Sequence, residues 1–261
     1  MRNVRMRVAY DGSRFFGWQR QEGFESVQEE LERALAGLVR ARVVVRGAGR
    51  TDTGVHALGQ VAHVHVDTRL DDERLLRALN AHLDEGVVVD ALETCPDDFH
   101  SQWNAIGKRY AYLVHTTRFR PPHATSHGHW VPHALDLEAM RSAAQAFLGR
   151  HDFTSLASAG SPRVSNVRTL RAVRLVARRR WFALVVEGDG FLYNMVRTLA
   201  GTLLEVGRGK LAPDAISGLL EARDRSLAGP TAPAAGLCLV SVRYPEPILL
   251  GAGRPVGLFR P

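Results

Sequence analysis

Two cysteines, Cys95 and Cys238, are all that this chain of 261 residues contains. With no CxxC pair, neither a disulfide framework nor a cysteine zinc site is indicated, and a reducing, cytoplasmic setting fits best. No run of about 18 apolar residues occurs, and the opening MRNVRMRVAYDG enters a strand-like pattern without an apolar leader core; the chain is therefore read as soluble, unexported and without a membrane partner. HExxH and GxxxxGK[ST] are missing too, so neither a zinc protease site nor a phosphate-cradling loop is written in the chain. What is present is 45% hydrophobic residues, enough for one large or two ordinary domains. Lys and Arg number 34 against 27 Asp and Glu, a net charge of +7, and most of the cations are Arg, the type suited to phosphate. A polyanionic partner agrees with that balance, though charge alone does not decide it.

Periodicity orders the rest. Val4, Met6 and Val8 alternate with Arg5 and Arg7, a strand with one basic face ending at the turn Asp11-Gly12. Ser26 and Glu29 form a capping box ahead of a helix whose apolar face is Val27, Leu31, Leu35 and Leu38. Strands are expected at Val43–Val45, Val61–Asp67, Val87–Leu92, Arg109–His115, 170–176, 181–187 and Leu237–Tyr244. Helices are expected at 71–83, 136–148, about 191–206 and Pro213–Ala222. The stretch 116–134, with Pro121, Pro122, Pro132 and four His, reads as a long loop and a domain joint, dividing the chain into 1–115 and 116–261. Each half mixes strands and helices in similar order, which predicts an α+β fold of two related subdomains sharing strands.

The segment RGAGRTDTGVHALGQVAHVHVD, from Arg46 to Asp67, concentrates reactive side chains on a loop between strands. His63 and His65 share a strand face and, with His56, would make a three-ligand metal site, but no carboxylate pair accompanies them and ordinary strand histidines are the better account. Gly47, Gly49 and Gly54 lead into no clear helix, so they bend the backbone and present Arg50, Asp52 and His56 instead of cradling phosphate. Asp52, close to Arg50, has the makings of an ionised nucleophile or base; on local grounds a capping role in its own loop weighs equally.

GRTDTGVHALGQVAHV resembles the signature loop of the tRNA pseudouridine synthase A family. YDGSRFFGWQRQ, SVQEELERAL, DFHSQWNAIGKRYAY, FLGRHDFTSL, GDGFLYNMVRTLAGTLLEVGRG and APAAGLCLVSVRYP resemble that family's other blocks, in its order and over nearly the whole chain. The resemblance implies an α+β isomerase with a shared, mostly antiparallel central sheet flanked by helices and an active-site cleft between the subdomains. It further implies a cytoplasmic homodimer that converts uridine to pseudouridine at positions 38, 39 and 40 of the tRNA anticodon stem-loop, with no cofactor and no metal.

By the same resemblance Asp52 is the catalytic carboxylate, leaving open attack at C1′, attack at C6 or removal of a sugar proton. Arg50 helps hold the nucleotide out of its stack, a step required of any enzyme acting on a base in a stem. Tyr110 stacks on the uracil, with Tyr112 on the same strand face; without the resemblance either is a core aromatic. Arg197 is the basic partner of Asp52, and Leu192 an apolar wall. Arg14, Arg20, Arg168, Arg171 and the run Arg178–Arg180 are candidates to track phosphates, though for the run a solvated strand end is the better account. The chain departs from the family at Thr53, where Ala is usual, and at Gln102, where Arg is common. A non-catalytic RNA binder and a His56, His63, His65 metallohydrolase are the competing readings.

Overall fold

The computed structural model describes residues 1–158 and 165–249. In chain order the elements are β1 (Arg2–Tyr10), α1 (Val27–Val39), β2 (Arg46–Gly47), β3 (His56–Val66), α2 (Asp72–Asn80), β4 (Val87–Thr94), β5 (Gly107–His115) and β6 (His129–Trp130). They continue with α3 (Leu137–Gln145), β7 (Gly149–Asp152), β8 (Val167–Ala177), β9 (Trp181–Gly188), α4 (Met195–Gly207), α5 (Ala215–Ala222) and β10 (Leu237–Arg243). Two compact units result, Met1–Ile106 with Cys238–Pro261, and Gly107–Leu237. Against the expected 1–115 and 116–261, β5 stands in the second unit, where its whole length pairs with β9. Nearly all of β10 stands in the first, where Cys238 and Leu239 pair with β3. Pairing places a strand by register, so neighbours in sequence need not share a unit.

Both units are α+β and mostly antiparallel. In the first, the strand order is β4-β1-β3-β10 with β2 also on β3, and only β10 runs parallel to its partner. Val4, Met6 and Val8 of β1 are fully buried, as their alternation requires. The Arg residues between them do not form a basic face. Arg5 lies opposite Glu93 of β4 and bonds it at 2.6 Å, and Arg7 bonds Asp90 at 2.7 Å. Leu31 and Leu35 of α1, and Leu75 and Leu79 of α2, are wholly buried, each contributing about 1.5–3 kcal/mol of transfer free energy.

The helix starts follow from side-chain caps. Ser26 accepts from Glu29 N at 3.3 Å, and Asp71 accepts from Arg74 N at 2.8 Å. Val43–Val45, expected as a strand, is irregular because side chains of α1 take the place of a partner strand. Glu32 Oε1 accepts from Val45 N at 3.0 Å, and Gln28 Nε2 donates to Val45 O at 3.1 Å.

In the second unit the order is β5-β9-β8-β7, with the two residues of β6 parallel to β5. Phe147, Phe153, Leu156 and Phe182 fill its core. The 116–134 stretch is ordered into a short 3₁₀ turn at Pro122–Thr125 and β6, within one unit and not at a joint. Arg178–Arg180 form the exposed turn of the β8–β9 hairpin, closed by Arg178 N donating to Trp181 O at 2.8 Å. The strand β7 (GRHD) escaped the sequence reading because it is short and polar, without apolar alternation. Of the chain beyond the last strand, residues from 250 onward lie outside the described residues. Among the described residues no helix is long and apolar enough to cross a membrane.

Candidate active site

In the first unit the loop between β2 and β3 carries Arg50, exposed, and Asp52, half-buried. The backbone of this loop is held from two directions. Ala48 N donates to Val61 O at 2.7 Å, Gln60 Nε2 donates to Gly49 O at 2.8 Å, and Val55 N donates to Asp52 O at 3.1 Å. From the other direction comes the segment YDGSRFFGWQ: Trp18 N donates to Thr51 O at 3.0 Å, Tyr10 OH lies 2.8 Å from Thr51 Oγ1, and Gly12 N donates to His56 Nδ1 at 3.1 Å. Close approach demands glycine here. A Cβ on Gly12 would sit 2.1 Å from Val55 O, and one on Gly17, whose φ is +88°, would sit 2.6 Å from Thr51 O. Two sequence blocks that look separate thus build one rigid support around Asp52.

The histidines do not form the set that spacing permits. His56 and His63 are seven residues apart on β3, about 23 Å along an extended strand, beyond any shared ion. His56 instead accepts the Gly12 N–H, and His63, buried, has Nδ1 3.0 Å from Ser101 Oγ and 3.1 Å from Ser101 N. Burial, reinforced by nearby His100, His65 and Arg46, lowers the His63 pKa to about 4. Both cysteines are buried and free; burial pushes Cys95 up to about 11 and Cys238 to about 12, so neither is a thiolate nucleophile near neutrality.

The second unit holds the other expected residues. Tyr110 of β5 is 8% exposed and meets Phe191 edge to face, ring centroids 5.1 Å apart. Leu192, next to that Phe, is buried. Tyr112 is a different case from Tyr110. It has no exposed surface, its hydroxyl donates to Pro233 O at 2.9 Å, and burial drives its pKa far up, so it is a core residue of β5.

Arg197 is oriented by its neighbours: Nε donates to Ala232 O and Nη1 to Asn194 Oδ1, both at 2.8 Å. Asn194 has φ +60° and its Nδ2 donates to Ser158 Oγ at 3.0 Å, so α4 begins only at Met195 and not near 191. The role of Asn194 was not read from the sequence; the available signal was an αL-tolerant Asn three residues before Arg197. Among the phosphate candidates, Arg14 is paired with Asp84 (3.1 Å) and Glu85 (2.7 Å), and Arg20 with Glu32 (2.8 Å). Arg168 Nη1 donates to Ser165 O and Val167 O, while Arg178–Arg180 are exposed.

Comparison with known proteins adds to this geometry. Residues 6–104 and 143–245 match the family described as tRNA pseudouridine synthase. The tRNA pseudouridine synthase A of Acetivibrio thermocellus is 44% identical over 244 residues, 94% of this chain and 100% of that protein. That of Geobacillus kaustophilus is 42% identical over 244 residues (93% and 95%), and that of Allorhizobium ampelinum 40% over 248 (94% and 96%). Among solved structures, a Cbf5-Nop10-Gar1 complex matches at TM-score 0.39 and 11% identity over 91% of this chain and 49% of that one, a likeness too low to bear on the argument. On the family match and these identities over almost its full length, the chain belongs to the tRNA pseudouridine synthase family.

Proposed function

We propose that this chain isomerises uridine to pseudouridine at positions 38, 39 and 40 of the tRNA anticodon stem-loop, acting in the cytoplasm as a homodimer. The observation that carries the reading is the Arg50-Thr51-Asp52 loop, locked between β1 and β3 with its Arg exposed, in a chain of this family. In the reaction the N1–C1′ bond breaks, uracil turns, and C5 joins C1′. The C5 proton is lost and N1 gains one, so the isomerisation needs no oxidant, reductant or cofactor. Asp52 supplies the carboxylate, whether by addition at C1′ or C6 or by taking a sugar proton.

Arg50 holds the extruded nucleotide in the space its stack has left, which lowers the cost of flipping. Tyr110, kept upright by Phe191, offers a ring to the uracil, and Leu192 offers apolar surface that excludes water. Arg197, with two of its nitrogens already engaged, supplies positive charge that keeps Asp52 ionised. The test is incubation with an unmodified tRNA transcript and mapping of pseudouridine. Asp52→Asn is expected to reduce product to background while tRNA affinity stays close to wild type, because the phosphate contacts are untouched. Full activity in that variant would remove Asp52 from its role.

A further inference from the structure

Trp103 is 79% exposed, the largest exposure of any tryptophan among the described residues, and its ring is not loose. The indole lies flat on the imidazole of His100, centroids 3.8 Å apart and planes 11° from parallel. The turn that carries them is braced within itself. Gln102 N and Trp103 N donate to His100 Nδ1 at 3.2 and 3.3 Å, His100 N donates to Asn104 Oδ1 at 2.6 Å, and Asn104 N returns to His100 O at 3.0 Å. Because Nδ1 accepts, the ring is the neutral tautomer with its proton on Nε2. Burial and the nearby Arg46 charge lower the His100 pKa in the same sense.

Behind His100 lies His63, 4.6 Å away between ring centroids. Ser101, in contact with His63 Nδ1, donates its hydroxyl to Arg46 O at 2.7 Å. The turn is therefore tied to β2, the strand that opens the Asp52 loop. One face of the indole is covered by imidazole and the other is left to solvent, while the exposed Arg46 acts electrostatically on that imidazole and the exposed His65 lies 6.4 Å from His63 between ring centroids. Nothing in the reaction chemistry uses this group. An exposed aromatic ring pre-stacked on a second ring, beside a guanidinium, has the chemistry that recognises an unpaired nucleobase and its phosphate. A protein partner would call for a broad apolar patch, whereas the neighbours here are Arg, His and Gln.

We propose that Trp103 and His100 form a stacking platform for a second, unpaired base of the RNA substrate, with Arg46 against its phosphate. The proposal rests on the tRNA-modifying reading above. It is tested with full-length protein and an unmodified tRNA transcript, measuring affinity across a salt series, steady-state kinetics, sedimentation and thermal melting for wild type, Trp103→Ala, Trp103→Phe and Arg46→Gln. Trp103→Ala is expected to weaken binding about tenfold with an unaltered salt slope, since stacking releases no counterions, and to raise KM more than it lowers kcat. Trp103→Phe keeps a ring and recovers most of the affinity. Arg46→Gln lowers the salt slope by about one. Trp103→Ala binding within twofold of wild type overturns the platform, and so does a change in sedimentation with that variant, which would make the ring a contact between protein chains. Wild-type protein that binds the transcript without forming pseudouridine overturns the reaction assigned above and leaves the platform standing.

Discussion

The loop carrying Asp52 and the helix start carrying Arg197 are both rigid, but by different means. Asp52 sits on backbone held by backbone: Trp18 N, Val55 N and Ala48 N bond into or across the loop, and glycines at 12 and 17 let two chain segments touch. Arg197 is aimed by side-chain and carbonyl acceptors, Asn194 Oδ1 and Ala232 O, on an ordinary helix. A backbone-held carboxylate cannot be displaced without disturbing the unit's core, since the same segment runs on from β1. A side-chain-held guanidinium can be misaimed while the fold stays whole. Stability and activity should therefore separate in the second region and not in the first.

Among changes to the residues that support the two regions, the largest effect should come from Gly17→Ala. With φ at +88° and Thr51 O only 2.6 Å from the new Cβ, the loop must shift. Unfolding free energy should fall by about 3 kcal/mol and kcat/KM by roughly 100-fold. Denaturant titration and single-turnover assays on one preparation would check both, and a variant that keeps wild-type stability would overturn the role of the Gly17–Thr51 approach in holding the loop. Asn194→Gly comes next, because glycine accepts the φ of +60° while removing the acceptor for Arg197. Here kcat should drop about tenfold, with Tm lowered by only about 2–4 °C. If Tm fell as far as in Gly17→Ala, the contrast between the two regions would collapse.

The effect that is smallest at neutral pH, and grows only in acid, is that of His63. His63 has a folded pKa of about 4 against an ordinary value of 6.5, so the unfolded chain binds the extra proton and stability falls as pH drops from 6.5 toward 4. The contribution is at most about 3 kcal/mol, complete only below the folded pKa. His63→Gln should flatten that part of the urea midpoint-versus-pH curve, and an unchanged slope would assign the acid sensitivity elsewhere.

Much of the local structure was legible because it is local. The Ser26 cap, the buried face of α1 and the alternation of β1 depend on residues within one turn or one pleat, and periodicity records them. Reading β1 as basic failed for the opposite reason: Glu93 and Asp90, which neutralise Arg5 and Arg7, stand more than eighty positions away. Val43–Val45 had strand-like composition, yet Gln28 and Glu32 satisfied its backbone from a helix. The tyrosines of β5 make the same point. Tyr110 and Tyr112 share a strand face and have the same chemistry, and tertiary neighbours, Phe191 at the first and Pro233 and His129 at the second, separate a ring at the edge of the core from a ring sealed within it.

By itself the sequence determined the family, whose motifs run in order along the chain, and it singled out candidates for the chemistry: Arg50 and Asp52 on a loop between strands and Arg197 on a helix. Tertiary structure alone decided what stands around them. It wrapped YDGSRFFGWQ over the Asp52 loop, turned Asn194 to hold Arg197, spent Arg14 and Arg20 on ion pairs, and laid Trp103 open on His100. The physical reason is range. Side-chain identity and period are properties of neighbouring residues, whereas pairing, burial and close approach depend on segments that folding alone brings within a few ångströms of each other.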